Sequence, residues 1–306
     1  VYGQYEYNLW RDFAKSRYVY EGSIAMQHEE GTFQGAGGVE QYYQVWRPEG
    51  TPRATLVIVH GLGEHSGRYQ NVVNHFVPKG YVIYALDHVG HGRSPGQRGH
   101  INRWDEFRDG LRAFVLMVQA KEAGRPFFLF GHSMGGCMTL DYVLRYPEGR
   151  YPEGLTAVVA SAPAVGKLNV PPVMVSVSKV LAKIKPDLSV STGLDSKAIS
   201  RDTAVVQAYQ NDPLNHGKGT PGWLMAFMDT AAWAMAHAAE FQPPLLLIHG
   251  DADRLVNVEE SKKFFAQVKQ PDKKLIIYPG GYHESHNDLH KEQMLADVEN
   301  WLETHI

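Results

Sequence analysis

Short, almost purely apolar runs recur along this chain, each separated from the next by a stretch with helical spacing. ATLVIVH (54–60), YVIYALD (81–87), PFFLFGHS (126–133) and LTAVVASAP (155–163) are four of them. Runs of this length, bounded by Gly, Pro or polar residues, predict strands buried on both faces. An earlier strand is predicted within Gly31–Pro48, where VEQYYQVWRP is rich in β-branched and aromatic residues and follows a Gly-rich turn. Between the runs, 69–79 predicts a helix stopped by Gly80. Trp104, Phe107, Leu111, Phe114, Val115 and Val118 space a second helix over 101–124, and a third follows PFFLFGHS as far as Tyr146.

Alternation of buried strands and helices predicts a parallel sheet covered on both faces. The alternation breaks near Ala164 and resumes with PPLLLIHGDADR (243–254), a helix near 258–268, the strand KKLIIYPG (273–280) and a final helix over 291–304. In the gap, VPPVMVSVSKVLAKIKP and WLMAFMDTAAWAMAHAAE are both helical in pattern. The chain is therefore expected to form one α/β core from 26–163 and 241–306, with 164–240 inserted as a helical cap. Residues 1–25 lack the apolar segment of a signal peptide. They read as an extension upstream of a natural start at Met26, a docked N-terminal helix being the alternative.

Composition narrows the function classes. A hydrophobic fraction of 43% and a charged fraction of 21% are those of an ordinary globular chain of 306 residues. The net charge of −3 offers no electrostatic case for nucleic acid. A single cysteine, Cys137, excludes intrachain disulfides and Cys-rich zinc sites, and is compatible with a reducing cytoplasm, the expected location. No apolar run is long enough to span a membrane.

The chemistry concentrates at the strand ends. GHSMGG (131–136) matches G-x-S-x-G between a predicted strand and a predicted helix, the context in which that motif holds a serine hydroxyl out on a sharp turn. Ser133 is the expected nucleophile, with the N–H of Met134 at the helix start available to an oxyanion. HGLGEHSG (60–67) fails the dinucleotide pattern G-x-G-x-x-G, because Ser66 stands at the third glycine. Following an earlier strand of the same sheet, it suits a second oxyanion donor, the N–H of Leu62. A serine nucleophile needs a histidine base and an orienting carboxylate, in the chain order Ser, acid, His. HGDADRLV (249–256) supplies Asp253 as the expected acid, with Asp251 as alternative or as a turn brace.

HGLGEHSGRY, DHVGHGRSPGQRGHI, GHSMGGC, GDADRLV and YPGGYHESH, in that order, resemble the monoacylglycerol lipase and lysophospholipase group of α/β-hydrolases. The resemblance runs from about Gly31 to the C-terminus and is weakest through the cap. It implies an eight-stranded α/β-hydrolase core under a mobile helical lid, acting on single-chain acyl esters without a cofactor. By motif position it supports Ser133, Asp253 and His283 as a triad, with Leu62 and Met134 as oxyanion donors. It further implies that Glu64, Arg68 and His286 bind the glycerol end. The alternative for Glu64 and Arg68, at i and i+4, is a helix-start ion pair. Cys137 stands where the group often has Ala, and is expected to be a buried small hydrophobe.

YPGGYHESHNDLH (278–290) holds three histidines, but H-E-x-x-H is not met, since Asn287 stands where the second His belongs. His283 is the expected base, His286 an alcohol-pocket wall and His290 a surface residue before the last helix. No metal is expected. In the cap, Trp223, Met225, Phe227, Met228, Trp233 and Met235 predict packing on the core, and collectively an apolar cover suited to an acyl chain. No basic amphipathic face recommends more than transient membrane contact. The leading expectation is an esterase for monoacylglycerols or similar esters, losing rate as pH falls through about 6–7. Lysophospholipase, general carboxylesterase, a peptidase with Glu240 or Asp229 as anchor, and a non-catalytic binding protein are the alternatives. A haloalkane dehalogenase or epoxide hydrolase needs a carboxylate where Ser133 stands.

Overall fold

Residues 26–146 and 154–306 are described by the computed structural model, and the expectation for 1–25 lies outside them. The apolar runs become the centre of one eight-stranded sheet. Its first strands are β1 (Met26–Gln34), β2 (Glu40–Pro48) and β3 (Ala54–Val59), followed by α1 (Gln70–Phe76), β4 (Tyr81–Leu86), α2 (Asp105–Lys121), β5 (Phe127–His132), α3 (Met134–Leu144) and β6 (Leu155–Ser161). The stretch between β6 and the next long strand holds α4 (Pro172–Ile184), β7 (Val190–Ser191), α5 (Thr203–Asn211), β8 (Lys218–Gly219) and α6 (Pro221–Ala236). The sheet is then completed by β9 (Leu245–Gly250), α7 (Val258–Gln267), β10 (Lys273–Tyr278) and α8 (Lys291–Glu303).

The strand order is β1-β2-β4-β3-β5-β6-β9-β10. Only β2 breaks the parallel arrangement, pairing antiparallel with both β1 and β4. Strand β1 begins ahead of the segment predicted as strand, and its signal is weak because MQHEEGTFQ is an edge strand with a single buried residue, Phe33. The predicted helix at 69–79 is α1 extended by 3-10 turns at Ser66–Tyr69 and Val77–Lys79, and it ends where Gly80 takes φ 89°. That left-handed stop suits glycine, which has no Cβ to clash.

Side-chain alternation along β3 builds two apolar layers. Val57 and Val59 pack with Phe114 of α2 and Met138 of α3. Leu56 and Ile58 pack on the other face with Val73 of α1 and Val298 of α8. Burying each aliphatic side chain of this size stabilises the fold by roughly 1.5–3 kcal/mol. Cys137 lies fully buried in the first layer, as a small hydrophobe.

Helix α6 packs on α3, and α4 packs on α6. Helix α5 escaped the sequence reading; it is nine residues long and buries none of them, so its apolar period is weak. Helix α4 also has no buried residue. Val173, Val177, Val180 and Ile184 are 69%, 51%, 58% and 74% exposed along its outer face, with Lys179 and Lys183 exposed beside them. No helix among the described residues is long and apolar enough to cross a membrane.

Candidate active site

The C-terminal ends of β3, β5, β9 and β10 converge on one cavity of about 410 Å³, where open α/β sheets present their loops to ligands. Ser133 follows β5 directly and has φ 56° and ψ −120°, a strained conformation for a residue with a Cβ. The turn is tight enough that a Cβ on Gly135 would lie 2.1 Å from the Val59 carbonyl oxygen, and one on Gly131 2.5 Å from Thr139 Oγ1. Glycine at both positions is what lets the strand turn into α3. The Ser133 N–H donates to the Ser161 carbonyl at 2.9 Å, and its own carbonyl accepts from the Ala164 N–H at 3.0 Å. These bonds hold the turn while Ser133 stays half-exposed on the cavity wall.

His283 lies on the same wall, in the loop after β10. Its Nδ1 donates to Asp253 Oδ2 at 2.7 Å. The Asp253 side chain is fully buried and also accepts from His249 Nε2 at 3.0 Å on the same oxygen. Its other oxygen takes the N–H groups of Leu255 and Val256 at 2.8 and 3.0 Å. Burial pushes the Asp253 carboxyl up, but the His283 charge and the bonds from His249 and His283 outweigh it and hold the group well below the usual carboxylate range. Burial likewise pushes His283 down, yet the adjacent Asp253 charge and its hydrogen bond raise that imidazole above its ordinary value. Asp251 is exposed and accepts from the Gly280 N–H at 2.6 Å, bracing the turn.

Leu62 and Met134 both line the cavity. Among the described residues, neither backbone N–H meets an acceptor outside the helices and strands. Glu64 and Arg68 also line it, but their polar atoms are largely engaged with each other and with a third residue. Arg68 Nη1 donates to Glu64 Oε2 at 2.7 Å, and the guanidinium makes a two-point pair with Glu284 at 2.6 and 2.7 Å. All three side chains are buried, so this is more than a helix-start pair. Burial and the neighbouring Glu284 charge push the Glu64 carboxyl up against the pull of Arg68. Burial opposes ionisation of Glu284 too, but Arg68 outweighs it and brings that carboxyl down to about 2.

His286 does not line the cavity. It is fully buried behind it, stacked on Tyr69 at 4.7 Å and edge-on to His132 at 4.9 Å, and burial brings its imidazole down to about 4. The family resemblance had implied a place at the alcohol end; the bend of the loop turns the ring inward instead. His290 is half-buried just ahead of α8 and pairs with Arg201 and Asp288. No cluster of potential metal ligands occurs among the described residues.

Two contributions were invisible in sequence. His249, the first residue of HGDADRLV, is a second donor to Asp253, and its Nδ1 meets Ser261 Oγ, on the fourth residue of α7, at 2.9 Å. The loop bearing His283 is tied to residues 199–201. The Glu284 N–H donates to the Ile199 carbonyl at 2.8 Å, Ser200 Oγ donates to the Asn287 carbonyl at 2.9 Å, and Arg201 Nε donates to Asp288 Oδ2 at 2.9 Å.

A family model described as serine aminopeptidase, S33, matches residues 50–290. The chain belongs to that family. This S33-family chain is 40% identical over 285 residues to the monoacylglycerol lipase of Mycolicibacterium smegmatis, covering 92% of its own length and 100% of the relative's. It is 32% identical over 272 residues to the monoglyceride lipase of Homo sapiens, with 87% and 88% covered. The crystal structure of the Paleococcus ferrophilus monoacylglycerol lipase superposes with a TM-score of 0.76 at 36% identity, over 87% of this chain and 100% of that one. With such relatives, the S33-family chain is a serine-type carboxylic ester hydrolase on the α/β-hydrolase fold.

Proposed function

We propose that this hydrolase cleaves monoacylglycerols and similar single-chain acyl esters, with Ser133 as nucleophile, His283 as base and Asp253 as the carboxylate that orients it. The observation that carries this reading is the 2.7 Å bond from His283 to buried Asp253, with His283 and Ser133 on the wall of one cavity. Neutral His283 takes the Ser133 proton as Oγ attacks the acyl carbonyl. The carbonyl electron pair moves onto oxygen, where the N–H groups of Leu62 and Met134 receive it. Collapse expels the alcohol, which takes the proton from His283, and water repeats the sequence on the acyl-enzyme. Met174, Leu224 and Phe227 line the cavity's remainder, an apolar surface matched to an acyl chain. In this reading 164–240 is the cap, although 199–201 is fastened to the core.

The family description makes a peptidase the second reading. Its expected anchors, Asp229 and Glu240, are both exposed and away from the cavity. Comparing kcat/KM for monoacylglycerols, lysophospholipids and aminoacyl anilides tests the choice. The monoacylglycerol is expected to lead the anilide by at least about tenfold. An anilide that turns over fastest would replace the lipase reading with the peptidase one.

Transient contact with an anionic lipid surface belongs to the same reading. The aliphatic row on α4 is spaced i, i+4, i+7, i+11, so it forms one stripe, and Lys179 and Lys183 flank it. Met174 and Ser178 of the same helix line the cavity, so the stripe lies across one helix from the site. Cosedimentation with anionic vesicles is expected, and V177E with I184E should abolish it. A concentration-dependent dimer without vesicle binding would assign the stripe to a second copy. The single buried thiol of Cys137 fits a cytoplasmic setting.

A further inference from the structure

We infer that Glu64 and His60 are positioning residues for the oxyanion site, gripping the Gly61–Leu62 backbone from both sides, and that Glu64 serves this loop ahead of any substrate hydroxyl. The inference rests on the proposed roles of Ser133 and Leu62.

Gly61 is the residue gripped. Its N–H donates to Glu64 Oε1 at 2.7 Å. Its carbonyl accepts from His60 Nδ1 at 2.8 Å. That carbonyl belongs to the same peptide unit as the Leu62 N–H. The structure contains no cis peptide among its described residues, so in this unit C=O and N–H point in opposite directions. Holding the carbonyl toward His60 therefore turns the Leu62 N–H away from it. The loop also touches the nucleophile, since a Cβ on Gly61 would lie 3.1 Å from Ser133 Cβ and 3.0 Å from Glu64 Oε1.

The donor on His60 is set by its second nitrogen. Nε2 accepts the His88 N–H at 3.1 Å, so in the neutral ring the proton sits on Nδ1, facing Gly61. Complete burial, with His88 and His91 alongside, holds the imidazole well below its ordinary value and so keeps the ring neutral. Glu64 is similarly committed. Oε1 accepts from both the Gly61 N–H and Tyr69 Oη, the latter at 2.8 Å, and Oε2 accepts from Arg68. A carboxylate has about four acceptor positions, so roughly one is left for a substrate hydroxyl. The Glu64–Arg68–Glu284 set thus anchors the oxyanion loop to the loop that bears His283.

This geometry separates two roles that a monoacylglycerol alone would confound. A glycerol contact matters only when the leaving alcohol has hydroxyls; an oxyanion brace matters for every ester. E64A, E64Q and H60L are therefore compared on a monoacylglycerol and on the p-nitrophenyl ester of the same acid, whose leaving group has no hydroxyl to bind. E64A and H60L are expected to lower kcat on both substrates by a similar factor, about 10–100-fold, with KM moving less than about threefold. E64Q retains an acceptor for the Gly61 N–H and is expected to recover most of the rate. Affinity for an alkyl trifluoromethyl ketone, which forms an oxyanion on the nucleophile, should weaken in parallel in E64A and H60L, and thermal unfolding identifies any variant that has lost its fold. A loss in E64A confined to the monoacylglycerol, an E64Q as impaired as E64A, or an H60L with the original kcat would each overturn the brace. S133A retaining activity would instead defeat the underlying site reading, whatever Glu64 does.

Discussion

S133A is expected to lower ester hydrolysis by about a millionfold and to abolish labelling by an alkyl fluorophosphonate. The size follows from the role: without Oγ there is no acyl-enzyme, and what remains is binding and oxyanion stabilisation alone. The fold should be untouched. Alanine suffers the same constraint at φ 56° that serine already tolerates, and among the described residues the bonds that hold the turn are made by the backbone. The bonds that do hold it run from the Ser133 N–H to Ser161 and from Ala164 to the Ser133 carbonyl, and both survive truncation. Residual turnover above about 1%, well beyond that expectation, or equal labelling of S133A, would remove Ser133 from the chemistry.

The second large effect is expected for D253N, about 10⁴-fold in kcat. Asp253 accepts four bonds, two from backbone N–H groups and two from His249 and His283. An amide has only one oxygen. If it faces Leu255 and Val256, its NH₂ faces the histidines and forces His283 to accept at Nδ1, placing the ring proton on the Ser133 side, where a base cannot use it. The pH profile supplies an independent signature. Only neutral His283 is active, so the rate falls as pH drops through its pKa, and Asp253 raises that pKa. The acid limb should therefore lie above the ordinary histidine value in the natural protein. Removing the Asp253 charge leaves burial, which lowers the pKa, so in D253N the limb should move to lower pH. D251N, altered at an exposed turn, should change neither rate nor limb appreciably. An equal loss in D251N would exchange the two carboxylates.

Much of the fold was legible because its signals are local. The runs at 54–60, 81–87, 126–133 and 155–163 are continuous and apolar, and each coincides with a strand of the sheet. The GHSMGG stretch could be placed between a strand and a helix before any tertiary information, since the motif and its flanks are contiguous. Where polarity blurs the period, the reading weakens. MQHEEGTFQ forms an edge strand with one buried side chain, and α5 buries none. The three histidines of 278–290 show the same limit. Their spacing is local, but the bend that sends His283 to the cavity and His286 behind it is held by Ile199, Ser200 and Arg201, more than eighty positions earlier.

What the sequence by itself determined was the alternation of the central strands and helices, the break in it after β6, the ester-hydrolase family and a short list of candidate residues. Apolar period, turn chemistry and motif order all lie within a few tens of residues. Tertiary structure alone decided who those residues meet. Arg68 reaches Glu284 across 216 positions and joins two carboxylates in one buried network, a partner that no sequence reading of Glu64 and Arg68, as alcohol-end contacts or as a helix-start pair, had offered. His283 gains its raised basicity from Asp253, 30 positions away. Burial, charge and hydrogen bonding act through space, so a side chain's ionisation and direction follow from neighbours that chain order does not place beside it.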